Sequence, residues 1–129
     1  MRDPRKDTRR VLVIDDEPGI NDLCRVVLEG DGFDVDTVLN GRDAQPLIAQ
    51  DDEYDVCLVD VRTPEMTGME FYQWIREEHP QLADRVIFTT GDTMFDDTRS
   101  FLEQSGRPLL PKPFTPSELR GAIREALGR

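Results

Sequence analysis

The 129-residue chain has two cysteines, one histidine and no apolar run near the roughly 18 residues of a membrane span. Cys24 and Cys57 show neither a CxxC spacing nor the density of a secreted disulfide scaffold. Each lies in an apolar stretch and reads as a small buried hydrophobe. No signal-peptide apolar region follows Met1, so the expectation is a reduced, cytoplasmic setting without membrane insertion. Positive charge is scarce too: 16 Lys and Arg face 27 Asp and Glu, for a net charge of −11. Five of the basic side chains fall within the first ten residues, so the remainder is more acidic still. That balance excludes the basic footprint of a nucleic-acid or anionic-membrane binder. The length suits one domain, with residues 1–9 as a flexible tail or linker and 10–129 as the folded part.

What is present is an alternation. Short apolar runs at Val11–Ile14, Phe33–Val38, Val56–Val59, Val86–Thr89 and Leu109–Leu110 read as strands. The first, third and fourth are nearly continuous, as in strands buried on both faces of a parallel sheet. Between them lie helical periodicities. Ile20, Leu23, Cys24, Val27 and Leu28 share one face, with Pro18 in the first turn and Gly30 and Gly32 as stop and turn. Leu119, Ala122, Ile123, Ala126 and Leu127 share another, opened by a capping box at Thr115-Pro116-Ser117-Glu118. Met69–His79 is a third helix, stopped by Pro80. Two segments read as weaker helices: Asn40–Gln50, where Pro46 should kink the helix or shift its start, and Met94–Gln104, whose apolar anchors are Phe95, Phe101 and Leu102.

Five strands alternating with five helices predict an open α/β sheet covered on both faces. Function in such sheets collects at the carboxyl ends of the strands. The first run leads into Asp15-Asp16-Glu17, the third into Asp60, the fourth into Thr89-Thr90-Gly91 and the fifth into Lys112-Pro113. Three carboxylates within about 5 Å repel by several kcal/mol at an effective dielectric near 20. Such a cluster needs raised pKa values or a cation. Oxygen donors without histidine or thiolate point to Mg²⁺, with Lys112 as a further positive charge.

The segments Val-Leu-Val-Ile-Asp-Asp-Glu-Pro (11–18), Leu-Val-Asp-Val-Arg-Thr-Pro-Glu-Met-Thr-Gly (58–68), Phe-Thr-Thr-Gly (88–91) and Pro-Lys-Pro-Phe (111–114) carry a family resemblance. In order and spacing the chain resembles the CheY-like receiver domain of two-component response regulators over about residues 9–128, most closely receivers of hybrid histidine kinases. The resemblance implies a flavodoxin-like (βα)5 three-layer sandwich with strand order 2-1-3-4-5. It implies Asp60 as phosphoacceptor from a phosphohistidine. Asp15, Asp16, Asp60 and the backbone carbonyl of Arg62 would be the Mg²⁺ ligands. Thr90, favoured over Thr89 because Gly91 follows it, and Lys112 would contact the phosphoryl oxygens, and a cis peptide would join Lys112 to Pro113. The implied partners are a histidine kinase or histidine phosphotransfer protein and a downstream protein target, with a monomer or weak dimer as the assembly. The chain would catalyse its own phosphorylation and dephosphorylation rather than turn over a metabolite.

Departures from the family pattern add further expectations. Leu109 stands where many members have an aromatic, so a switch gated by an aromatic rotamer is not expected. Arg62 and Asp92, two residues beyond Asp60 and Thr90, are candidates for an ion pair over the acyl phosphate. The chain stops at Arg129, after the last helix, and is read as a stand-alone receiver or one excised from a kinase. His79 reads as a helix-end residue, and Phe71, Tyr72 and Trp74 as packing. A Mg²⁺-dependent phosphohydrolase of the haloacid-dehalogenase type would favour Asp-x-Asp, but the chain has Asp60-Val61-Arg62. A flavin or nucleotide domain would favour Gly, Ser and Thr after the first strand, where this chain has Asp15-Asp16-Glu17. A receiver that only binds partners would not require the complete acidic, hydroxyl and lysine set.

Overall fold

The computed structural model describes residues 8–91 and 96–128. Five parallel strands, β1 (Arg10–Ile14), β2 (Asp34–Val38), β3 (Val56–Asp60), β4 (Val86–Thr90) and β5 (Leu109–Pro111), form one sheet in the order β2-β1-β3-β4-β5. The helices are α1 (Pro18–Gly30), α2 (Gly41–Gln50), α3 (Gly68–Glu78), α4 (Pro80–Ala83), α5 (Asp96–Ser105) and α6 (Pro116–Leu127). This is the expected sheet and strand order.

The strand period sorts side chains onto two cores. Leu12 pairs in register with Cys57, and Cys57 with Val86. These three, with Ile14, Val59 and Phe88, pack against Ala44 and Ile48 of α2 and Phe71, Tyr72 and Ile75 of α3. Phe101 and Leu102 of α5 cover the same core. On the opposite face Val11, Val13, Val56, Leu58 and Ile87 meet Cys24, Val27 and Leu28 of α1 and Leu119 and Ile123 of α6. Every side chain of β3 and β4 is buried, which explains their unbroken apolar runs. Among the aromatics, Tyr72 and Phe88 both meet Phe101 edge-on, at 5.9 and 5.2 Å between centroids. Phe71 and Trp74 lie 5.9 Å apart. All are packing contacts, as expected.

Local chemistry sets the ends of the elements. Thr115 and Glu118 form the expected capping box, and Thr67 and Glu70 form a second one that opens α3. The Asn40 side chain accepts from the Asp43 N–H at 3.0 Å, so α2 starts at Gly41 and runs through Pro46 without a shifted start. Pro80 ends α3 as expected but also opens the short α4, because a proline at the first helical position lacks only an N–H that has no partner there. His79 sits between these helices as a cap and lies 3.2 Å from Asp52. Arg10 belongs to β1, and the Arg9 carbonyl accepts from the Asp34 N–H at 2.9 Å.

Candidate functional site

The strand order reverses between β1 and β3, and the candidate residues gather at that carboxyl edge. Asp15 follows β1, Asp60 ends β3, Thr90 ends β4 and Lys112 follows β5. Carboxylate oxygens of Asp15, Asp16 and Asp60 all lie within 4.8 Å of one another. Asp15 and Asp60 are buried and Asp16 is exposed. The Lys112 ammonium reaches the cluster from two strands away: its Nζ is 2.8 Å from Asp15 Oδ2, 3.1 Å from Asp60 Oδ2 and 3.2 Å from Glu17 Oε1.

Backbone groups fix the orientation. The Arg62 N–H donates to Asp60 Oδ1 at 3.0 Å, and the Glu17 N–H donates to Asp15 Oδ1 at 2.9 Å. Asn21 of α1 donates from Nδ2 to the Asp15 carbonyl at 2.9 Å, tying that helix to the end of β1. The Lys112 N–H donates to the Thr90 carbonyl at 3.1 Å, so Thr90 and Lys112 are neighbours on adjacent strands. The Lys112–Pro113 peptide is cis, as expected. Thr89 and Thr90 are both buried. Gly68 N–H donates to the Val61 carbonyl at 2.9 Å, and a Cβ on Gly68 would run into the Asp60 carbonyl and stand 2.9 Å from Val61 Cα. Only a glycine lets α3 begin this close to the Asp60 strand end.

Four carboxylates therefore face one ammonium. Burial raises the pKa of Asp15 above its ordinary value despite the hydrogen bond from Lys112. For Lys112, burial works to lower the pKa, yet the contacts with Asp15 and Asp60 outweigh it and hold the ammonium well above its ordinary value. The cluster keeps Lys112 charged and still carries excess negative charge. A donor set of hard carboxylate oxygens with that excess fits a divalent Mg²⁺-type cation rather than zinc or copper.

The anticipated partner of Arg62, Asp92, lies outside the described residues. Within them the guanidinium donates to Thr98 Oγ1 at 2.6 Å and lies 3.5 Å from Asp97 Oδ1. Neither Glu17 as a third carboxylate on Lys112 nor Thr98 as a partner of Arg62 was expected from the sequence. Glu17 carries a usable signal, since it continues the acidic run after β1; Thr98 carries none.

The response regulator receiver-domain family model matches residues 11–124, nearly the whole chain. The chain belongs to the response regulator receiver-domain family. Phosphorylation-driven switching in two-component systems is the general function of such receiver domains. The chain is 30% identical over 119 residues to the response regulator protein PilR of Pseudomonas aeruginosa, covering 92% of this chain and 26% of PilR. It therefore spans about a quarter of that regulator. The crystal structure of a receiver-domain protein from Clostridium thermocellum superposes with a TM-score of 0.81 at 30% identity, covering 94% of this chain and 95% of that one. The response regulator TrrA of Thermotoga maritima, solved in complex with Mg²⁺-BeF, gives a TM-score of 0.78 at 28% identity over 93% of this receiver domain and all of that chain. No described helix of this receiver domain is long and apolar enough to cross a membrane.

Proposed function

We propose that this receiver domain accepts a phosphoryl group on Asp60 from a phosphohistidine of a histidine kinase or histidine phosphotransfer protein. The observation that carries this reading is Asp60 itself: a buried carboxylate with Oδ1 held by the Arg62 N–H and Oδ2 beside Lys112. A carboxylate oxygen forms a bond to phosphorus while the donor's phosphorus–nitrogen bond breaks, and the imidazole leaves with that electron pair. Lys112, already 3.1 Å from Asp60, pairs with a phosphoryl oxygen and offsets its charge. The Thr90 hydroxyl donates to another oxygen once the phosphoryl group is in place. Hydrolysis reverses the state: water bonds to phosphorus, the bond to Asp60 breaks, and inorganic phosphate departs.

Asp15, Asp16, Asp60 and the Arg62 carbonyl would hold Mg²⁺. When bound, the ion neutralises charge on the transferring phosphoryl group. The domain acts on itself, and its output is an altered surface presented to a downstream protein. Residues 10–129 form the receiver unit, in a cytoplasmic setting.

Phosphoramidate, a small donor with a phosphorus–nitrogen bond, tests this chemistry. Intact mass should show one added phosphoryl group with Mg²⁺, none with chelator, and none in Asp60→Ala. An unchanged gain in Asp60→Ala would contradict the assignment.

A further inference from the structure

Successive side chains of an extended strand point to opposite faces, yet the neighbours Asp15 and Asp16 bring carboxylate oxygens within 4.8 Å of each other. The chain must turn as it leaves β1 for that to happen, and Asp16 stands in a bend. The bend carries the Asp15 carbonyl past the last paired residue of β1, Ile14, whose partners are Val38 and Val59. Asp15 is 1% exposed, so its carbonyl needs a donor from within the protein. Asn21 supplies one: Nδ2 donates to that oxygen at 2.9 Å and lies 3.5 Å from the Val38 carbonyl, which accepts from the Asp15 N–H at 3.1 Å. The Asn21 N–H in turn donates to the Glu17 carbonyl at 3.2 Å, which closes the segment 15–21 on itself.

We propose that Asn21 is a positioning residue for the cation site, locking the Asp15–Asp16 peptide so that both carboxylates face one divalent ion. The inference rests on the Mg²⁺ reading above. The Asp15 carbonyl belongs to the rigid plane that joins Asp15 to Asp16, so holding it sets the direction in which Asp16 leaves the backbone. The Asp15 carboxylate has further anchors, the Glu17 N–H on Oδ1 and Lys112 on Oδ2, whereas Asp16 is exposed. Asp16 is therefore the ligand that moves when the peptide is freed. The amide itself points to this role. Asn21 is 6% exposed, and its Oδ1 has no partner among the described residues. A buried bare oxygen is costly, and a leucine, with the same branched shape and no polar atom, would avoid it. The side chain thus carries an unpaired acceptor and places its donor at the bend. Loss of such support behind a ligand weakens metal affinity by roughly ten- to a hundred-fold.

Amide NMR shifts during titration with magnesium chloride read the affinity at the site itself, and urea midpoints in chelator read stability separately. Asn21→Ala and Asn21→Leu should each bind Mg²⁺ at least roughly ten-fold more weakly than the wild type. Asn21→Leu leaves no void, so the test stands even where Asn21→Ala fails to fold. Val27→Ala removes buried packing from the same helix without touching the bend. It should lower the urea midpoint and leave the Mg²⁺ affinity unchanged. Wild-type affinity in a folded Asn21 variant overturns the positioning role alone. An equal loss of affinity in Val27→Ala also overturns it, since helix packing would then set the affinity. Absence of Mg²⁺-dependent shifts at Asp16, Glu17 and Arg62 in the wild type overturns the Mg²⁺ reading, and the positioning role with it.

Discussion

Lys112 Nζ lies 2.8 Å from Asp15 Oδ2, joining the end of β5 to the end of β1 across the two strands between them. The lysine side chain is 11% exposed and the aspartate side chain 2%, so this pair is only weakly screened by water. Removing the cation leaves buried carboxylates facing one another. Lys112→Ala should lose about 3 kcal/mol of stability in chelator at neutral pH. Added Mg²⁺ should return part of that loss. Urea unfolding with and without the ion checks both statements.

Gly68 lies against the backbone of Asp60 and Val61. Neither neighbour is the end of a flexible side chain, so a methyl group there must push the strand end or the start of α3. Gly68→Ala should destabilise by about 2 kcal/mol and slow phosphorylation, because Asp60 moves with its carbonyl. Gly19→Ala, where an added Cβ meets nothing within 4 Å, is the control. Denaturant midpoints and phosphorylation rates for the two variants give the comparison.

Cys24 and Cys57 are buried free thiols, and burial pushes both up to about 12 from an ordinary value of 9.0. Below pH 9 the thiols are protonated in the folded and unfolded chains alike, so they add no pH dependence. Above it the unfolded chain releases protons that the folded chain retains. Stability should therefore fall as pH rises from about 9 toward 12, by up to ~1.4 kcal/mol per pH unit for each thiol. A Cys24→Ala/Cys57→Ala variant should lack that alkaline loss in urea titrations. Iodoacetamide at pH 8 should label the native wild type far more slowly than the unfolded chain.

The helix caps allow a cleaner comparison. Thr115→Ala and Thr67→Ala each remove a hydroxyl that accepts an N–H three residues on, at 3.1 and 3.2 Å. Each should cost about 1 kcal/mol, measured by thermal or urea unfolding. A Thr67→Ala protein as stable as the parent would mean that packing alone fixes the start of α3.

These residues also show what was legible in the chain. Asp15, Asp60, Thr90 and Lys112 could be placed together because each follows or ends an apolar run, and parallel strands bring such ends to one edge. The α6 cap was readable because Thr115 and Glu118 flank a proline and precede a clear period. Thr67 and Glu70 have the same spacing, but the apolar period starts only at Met69, inside the cap that opens the helix. Pro80 signals a stop for the helix before it, but a proline also suits the first position of a following helix. Pro46 left the start of α2 in place because Asn40 caps the helix ahead of it. The Arg62 contact with Thr98 left no trace in the sequence: it depends on where the first turn of α5 falls relative to β3, and neither residue belongs to an apolar pattern.

The central claim is that Asp60 receives the phosphoryl group in a site completed by Asp15, Asp16, Thr90 and Lys112. Its most direct test is the intact mass of the wild type and of Asp60→Asn after incubation with acetyl phosphate and Mg²⁺, followed by fragmentation to locate the added group. One phosphoryl group on Asp60, absent in Asp60→Asn and absent with chelator, is the predicted result. A phosphoryl group on another residue, or one added equally in Asp60→Asn, would contradict it.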